Sequence, residues 1–431
     1  MRAEIRDAAA ATIVALLAFV LALGMVAGRG KSDLVFYGCA LATSGLALAA
    51  GALATSPRHP AVVPILVLGA VLLRLWFVAQ TPSLSGDIYR YIWDGRIVNA
   101  GFNPYLHVPA DPALVSLRDP EQFQLIDKRD YAVTIYPPVA QALFAIVTRF
   151  STSVWAMKLA MVFCEIAAVG ALAQLMRRLG KPIEGLVVYL LHPAGIWEIA
   201  GNGHVDAAMM ALLFGAFAIP AWRGERYGSA ALVTLAALIK PTAALGLPSL
   251  WRPVQALLPL FVVAVAAVCY LPFLSAGAHV IGFLPNYAHE QGLDSGHGFY
   301  WLELFNQLGL PTQRIVPLYE ACAALLLILL AIWLRRRGGF ELPAQLRATA
   351  VLLIGFMLLL TPVFPWYWLA LLPFTPLLGL WTPFVFATGG FLLYSFNADA
   401  PPFFFRWSVL MGCVILAVIR DAMAARKESR Q

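Results

Sequence analysis

Apolar runs of membrane-spanning length recur along the chain, separated by short basic loops and by two long polar ones. A bilayer crossing needs about 20 predominantly apolar residues. Such runs lie near 8–28, 34–54 and 61–79, then near 154–176, 182–199 and 204–221. Others follow near 254–274, 314–334, 347–364, 367–381, 382–396 and 404–420. One further apolar stretch, 228–250, is interrupted by Lys240-Pro241. The pattern predicts an all-α polytopic membrane protein, a single integral domain over 1–431 with about 12 transmembrane helices.

Composition agrees with the pattern. The 431 residues are 61% hydrophobic and 12% charged, where a soluble domain carries about 25% charged residues. The run Ala8–Ala27 follows Arg2 and Arg6. It is long for the apolar core of a signal peptide and no clear small-residue cleavage site follows, so it reads as a first retained span. The net charge of +7 invites a nucleic-acid partner, but the placement of the charges argues against one. Basic residues gather in short loops: Arg177, Arg178 and Lys181; Arg223 and Arg226; Arg335, Arg336 and Arg337; then Arg420, Arg426, Lys427 and Arg430 at the C-terminal end. That is positive-inside bias, which orients spans.

A cytoplasmic N-terminus satisfies every short basic loop except Arg29/Lys31. It places the long loops 81–137 and 275–313 outside, and it makes 228–250 enter and leave on one side as a re-entrant segment. The outer loops are rich in Tyr, Trp, His, Asp and Asn, so chemistry belongs on the non-cytoplasmic face. Cys39, Cys164, Cys269, Cys322 and Cys413 all lie in apolar runs and read as small hydrophobic filler.

Six polar groups can carry chemistry. Asp87 follows Pro82 and Gly86, which end the third run, and opens a predicted helix to about Asn99. Tyr91 and Asp94 share its face at i+4 and i+7. A carboxylate at the membrane surface suits a general base toward a sugar hydroxyl; the bland alternatives are a helix cap for Asp87 and a pairing with Arg90 or Arg96 for Asp94. Asn202, His204 and Asp206 lie at an outer junction of two runs, just after Glu198. Polar side chains there are costly unless they face protein or a wet cavity; the alternative is a hairpin with Asp206 at a helix N-terminus.

Lys158 and Glu165 sit seven apart within one run. They read as a phosphate contact and its orienter, or as an internal ion pair. Lys240 can meet a lipid phosphate or snorkel to the inner interface. His297 shares the second outer loop with His289, Glu290, Asp294, Tyr300 and Trp301. The aromatics suit sugar stacking or an interfacial belt, and the spacing does not match zinc ligands, so no metal is expected. Trp366 and Tyr367 end another run, where a belt is sufficient. Phosphate-binding glycine loops, zincin motifs and nucleophile elbows do not occur. With no cytoplasmic nucleotide-sugar domain, an activated sugar has to come from the membrane.

The segment Ser85-Gly86-Asp87-Ile88-Tyr89-Arg90-Tyr91-Ile92-Trp93-Asp94-Gly95-Arg96, followed by Gly101-Phe102-Asn103-Pro104-Tyr105, resembles the first outer loop of GT-C glycosyltransferases. It is most similar to the polyprenyl-phosphate-mannose-dependent mannosyltransferases of glycosyltransferase family 87. Ile135-Tyr136-Pro137-Pro138, Asn202-Gly203-His204-Val205-Asp206, Lys240-Pro241-Thr242 and Pro365-Trp366-Tyr367 are similar to segments found in the same order there. Extra N-terminal spans before the motif depart from the simplest pattern.

The resemblance implies a GT-C-type bundle with amphipathic helices in the first outer loop. It implies inverting transfer of a sugar, with mannose first, from a polyprenyl-phosphate donor to a lipid-linked or glycan acceptor, with no cofactor. Asp87 would be the base. Arg90, Tyr91, Asp94, Lys158, Asn202, His204, Asp206, Lys240, His297, Trp366 and Tyr367 are the candidate donor- or acceptor-binding residues. The partners expected are membrane lipids, the lipid-linked sugar and its acceptor, and no nucleic acid. Two other readings stay open: a transporter or flippase of lipid-linked glycan, suggested by Lys158, Glu165 and Lys240, and a glycan polymerase or ligase.

Overall fold

Apolar runs become long helices wherever no proline or polar cluster interrupts them. A computed structural model describes residues 2–30, 32–56, 61–220, 226–252, 255–397 and 400–428. Lys31, Arg223 and Arg430, used above for orientation, lie outside these. All regular secondary structure among the described residues is helical. Helices α1 (Arg2–Arg29), α2 (Asp33–Thr55) and α3 (Val62–Ala79) follow the first three runs closely. The first long loop begins with α4 (Asp87–Asn99) and continues through turns to Tyr136. There Pro138 starts α5 (Pro138–Phe150), at a position whose missing amide hydrogen costs nothing. The long helix α6 (Val154–Arg178) follows.

The 182–199 run is broken. A tight turn leads to α7 (Val187–Leu191), the helix stops at His192-Pro193, and wide π-type turns cover Ala194–Gly201, bent by 63° from the first part. A proline inside a helix removes a hydrogen bond and clashes with the preceding turn. Next come α8 (Asp206–Ala218), α9 (Tyr227–Ala237), α10 (Leu247–Leu250) and α11 (Leu258–Tyr270). The second long loop carries α12 (Leu284–Glu290) and α13 (Tyr300–Gln307). The remaining helices are α14 (Val316–Arg337), α15 (Leu342–Leu360), α16 (Phe374–Leu378), α17 (Thr382–Gly389) and α18 (Phe403–Glu428).

Among the described residues, eight helices are long and apolar enough to cross a membrane, or nine if the bent pair is one span. The count of about 12 expected from hydropathy treats every apolar run as a continuous helix. Four runs are not. The 182–199 run is the bent pair, and the 204–221 run yields the 13 residues of α8. The 228–250 stretch, expected to be interrupted at Lys240-Pro241 and not counted as a crossing, yields the 11 residues of α9 followed by a break at Leu238–Lys240. The 367–381 and 382–396 runs are cut by Pro373, Pro376, Gly379 and Gly390 into short helices and tight turns. The break at Lys240 has a local cause: Lys240 is extended, at φ −137° and ψ 122°, as a residue before proline prefers to be.

The chain divides into two compact units. One holds residues 1–84, 169–201 and 363–431. Within it α1 packs on α2 and α3, and α2 on α7. A Cβ on Gly69 would come within 2.6 Å of Val14, so the bare backbone lets α3 approach α1 closely.

The other unit holds residues 85–168 and 202–362. Here α4 packs on α5, α9 on α8 and α11, and α14 on α15. The carbonyl of Leu238, where α9 ends, accepts from the amides of Val139 and Ala140 at 3.1 and 3.3 Å. It thereby satisfies donors at the start of α5 that no intrahelical carbonyl can reach. The two long loops are also tied within this unit. The Phe283 amide donates to the Thr134 carbonyl at 3.0 Å, Asn103 Nδ2 to Ser275 Oγ at 2.9 Å, and Lys128 pairs with Glu290.

Candidate active site

Asp87 is the first residue of α4, yet it does not cap the helix: Gly86 holds the cap position and no side chain caps that end. Its carboxylate turns to tertiary partners. The Tyr136 hydroxyl donates to Asp87 Oδ2 at 3.2 Å, and His204 Nδ1 lies 3.9 Å from the same oxygen. The Asp87 side chain keeps 30% exposure while that of His204 has none. The carboxylate is thus held on one side and open on the other, as a group that must meet a substrate has to be. Burial raises the Asp87 pKa above the ordinary carboxylate value; the positive charge of Lys240 and the Tyr136 hydroxyl pull it back.

The segment 202–206 brings its polar side chains in through a tight turn. Gly203 has φ +75°, and a Cβ there would sit 2.5 Å from Ile88 Cδ1 and 3.3 Å from Lys158 Cγ. Only glycine combines that backbone with that closeness. The turn sets Asn202 and His204 against α4 and α6 and starts α8 at Asp206, all three residues being buried. Asp206 Oδ2 then meets Lys240 Nζ at 2.7 Å. Lys240 reaches it from the break after α9, so the proline-bounded interruption delivers a cation to this group. Lys158 is fully buried on α6 beside Gly203, and Glu165 is buried further along that helix.

Asp94 and Arg90 form a tier beneath Asp87 on α4. Arg90 Nε donates to Asp94 Oδ1 at 2.8 Å, and Arg90 Nη1 to the Ala132 carbonyl at 3.0 Å. Asp94 Oδ2 accepts from Thr134 Oγ1 at 2.5 Å and from Gln141 Nε2 at 3.0 Å. Asp94 has no exposure and Arg90 only 9%. This network pins residues 132–136 to α4 and so holds Tyr136 against Asp87. Tyr91 contributes by packing: its ring stacks on Phe144 with centroids 4.6 Å apart and meets Tyr136 edge-on at 5.0 Å.

Asp87, Tyr91, Asp94, Arg90, Lys158, Asn202, His204, Asp206 and Lys240 therefore gather in one unit. His297 does not join them. It pairs with Glu303 at 2.5 Å, and its side chain is 64% exposed. Trp366 and Tyr367 belong to the other unit, where Trp366 stacks on Phe364 at 4.6 Å. Sequence reasoning had noted Tyr136 only as part of a motif, and its role at Asp87 follows from the fold. It missed Asp127 altogether. That acid lies near Gly86 and raises the Asp87 pKa through its negative charge; no sequence signal marks it. No three His, Cys, Asp or Glu side chains among the described residues converge as metal ligands would.

Residues 31–254, just over half of the chain, match the family model described as alpha-(1->6)-mannopyranosyltransferase, N-terminal domain. The chain is 24% identical over 329 residues to alpha-(1->6)-mannopyranosyltransferase A of Mycobacterium tuberculosis (strain ATCC 25618 / H37Rv). That alignment covers 67% of this chain and 60% of the relative, so the chain matches less than two thirds of the relative's length. No solved structure matches the chain. Asp87, Tyr136, His204, Asp206 and Lys240 all fall inside the family match.

Proposed function

Because the chain belongs to the alpha-(1->6)-mannopyranosyltransferase family, we propose that it is a membrane mannosyltransferase. Its donor is a polyprenyl-phosphate mannose, and its acceptor is a hydroxyl of a lipid-linked or free glycan at the non-cytoplasmic face. The observation that carries this reading is the Asp87 carboxylate, held by Tyr136 and still open on its other side. In the proposed step Asp87 takes the proton of the acceptor hydroxyl. The acceptor oxygen bonds to the mannose anomeric carbon as that carbon's bond to phosphate oxygen breaks, with inversion. The bonding pair stays on the polyprenyl phosphate, which leaves as an anion.

Developing charge on that anion needs nearby cations or donors. Lys240, Lys158, His204 and Arg90 are the candidates for the phosphate, Arg90 being tied to Asp94 and Lys240 to Asp206. Lys240 serves two ends in this reading, since its charge also lowers the Asp87 pKa. Its pairing with Asp206 at 2.7 Å gives a buried cation a partner without a transport role. The basic loops support the non-cytoplasmic side for the active site.

The test uses purified protein in lipid with labelled polyprenyl-phosphate mannose and a lipid acceptor, comparing wild type with Asp87→Asn. Labelled product from wild type, falling by about a hundredfold or more in the variant, supports both transfer and the base. Equal product from both removes Asp87 from the chemistry. Movement of lipid-linked glycan across the membrane without a new glycosidic bond replaces the transferase by a transporter.

A further inference from the structure

A second polar cluster lies in the unit that holds Asp87, at the ends of α14 and α15 that carry the basic residues. Arg335, near the end of α14, and Arg252, just after α10, both lie over the ring of Phe340, at 4.0 and 4.2 Å from its centroid. The two guanidinium groups are therefore within roughly 8 Å of each other, where like charges repel. Arg335 Nε is occupied by the Trp251 carbonyl at 2.7 Å, whereas Arg252 Nε is buried with no acceptor among the described residues.

A third guanidinium closes the group. Arg226 Nη1 donates to Gln345 Oε1 at 3.0 Å, and its Nη2 to the Phe340 carbonyl at 3.3 Å. Gln345 has only 1% exposure, and its Nε2 has no acceptor among the described residues. A cleft opens beside this group, lined by Ser249, Arg335, Gly339, Phe340 and Gln345; Arg252 and Arg226 stand outside that lining and border it through Phe340 and Gln345. The adjacent acid, Glu341, is exposed.

We propose that this cleft binds the phosphate of an anionic phospholipid. Guanidinium groups match phosphate oxygens in charge and geometry, and the buried amide of Gln345 is a further donor facing the same space. The source of the phosphate is argued from α14. Leu325, Ile328 and Ile332 are all exposed. They precede Arg335 at i−10, i−7 and i−3, so they share its helix face. An acyl chain has an apolar track along that face while its headgroup meets Arg335 and Gln345, with the charge of Arg252 on the neighbouring Phe340 ring close by. Basic pockets between membrane helices hold anionic headgroups in this manner. The site is separate from the Asp87 group and does not depend on the reaction assigned there.

The experiment is native mass spectrometry of the full chain in detergent with phosphatidylglycerol, phosphatidylcholine or inorganic phosphate. Two variants are compared with wild type: Arg252→Gln with Arg335→Gln, and Gln345→Glu. The second keeps the side-chain volume and the contact to Arg226 but puts a negative charge against the phosphate. Wild type is expected to retain phosphatidylglycerol over phosphatidylcholine, and each variant to lose about tenfold of that preference. Unchanged preference in both variants overturns the proposal. Phosphate adducts without any preference between the lipids overturn the lipid assignment and leave a free-anion site. If the double variant does not fold, Gln345→Glu decides, with its thermal melting compared with wild type.

Discussion

A base that takes a proton from an alcohol works best when its pKa lies near the working pH. At Asp87 several neighbours pull in opposite senses. Burial raises the pKa, Lys240 and then Tyr136 lower it, and Asp127 raises it. In the proposed step transfer requires the ionised carboxylate, so kcat/KM is expected to rise with pH through an acid limb above the ordinary carboxylate value. Lys240→Met removes a lowering charge and moves the limb to higher pH; Tyr136→Phe moves it the same way. Asp127→Asn removes a raising charge and moves it to lower pH. pH–rate profiles of the four proteins check this, and limbs that do not follow these signs would assign the titration to another group. Asp94 acts one step removed. Asp94→Asn leaves Arg90 buried without its counter-charge, a loss of about 3–5 kcal/mol in a buried pair. It also loosens residues 132–136, so kcat should fall more than KM changes. Replacing both partners, Arg90→Met with Asp94→Leu, should recover much of the melting temperature but not the kcat. Recovery of both would make the pair a matter of stability alone.

The α4–α5 contact is the element on which that positioning depends. A Cβ at Gly95 would stand 2.3 Å from the Phe144 carbonyl oxygen and 2.5 Å from Thr148 Oγ1. Asn99 Nδ2 closes the same seam on the Ala145 carbonyl at 2.9 Å. Gly95→Ala is therefore expected to force the helices apart at a cost of about 1–3 kcal/mol, read as a lower melting temperature, while Gly101→Ala has no neighbour to strike and only a local backbone penalty. Equal effects would mean that backbone conformation, and not the seam, sets the cost. Much at this scale was legible in the sequence. The predicted helix from Asp87 to about Asn99 matches α4, because Pro82, Gly86 and Gly101 bound it. The first three apolar runs match α1, α2 and α3 for the converse reason, that only Pro64 near the start of α3 interrupts them. The runs at 204–221, 367–381 and 382–396 misled because hydropathy measures apolarity and not continuity, whereas the interruption of 228–250 at Lys240-Pro241 was legible in its proline. The pairing of Lys240 with Asp206, and of Tyr136 with Asp87 across 49 positions, is set by tertiary packing that no local pattern encodes.

For the molecule as a whole, the side of the membrane on which Asp87 stands decides which donor it can use. No phosphate-binding loop for a nucleotide sugar occurs in the sequence, so a cytoplasmic Asp87 would lack a recognisable partner, whereas an outer one can draw on a lipid carrier. Positive-inside bias predicts that the loop 81–137 is outside and the end of α14 at Arg335–Arg337 inside. The positions Val115 and Tyr131 are 56% and 57% exposed and lie in that outer loop; Gly338 follows α14. In a background with the five native cysteines replaced by alanine, Val115→Cys and Tyr131→Cys should react with a membrane-impermeant maleimide on intact cells, and Gly338→Cys only after permeabilisation. The reverse labelling would keep the family membership and the Asp87 geometry intact. It would move the chemistry to the cytoplasmic face, put the Arg252–Arg335 cleft in the outer leaflet, and require a donor delivered from the cytosol.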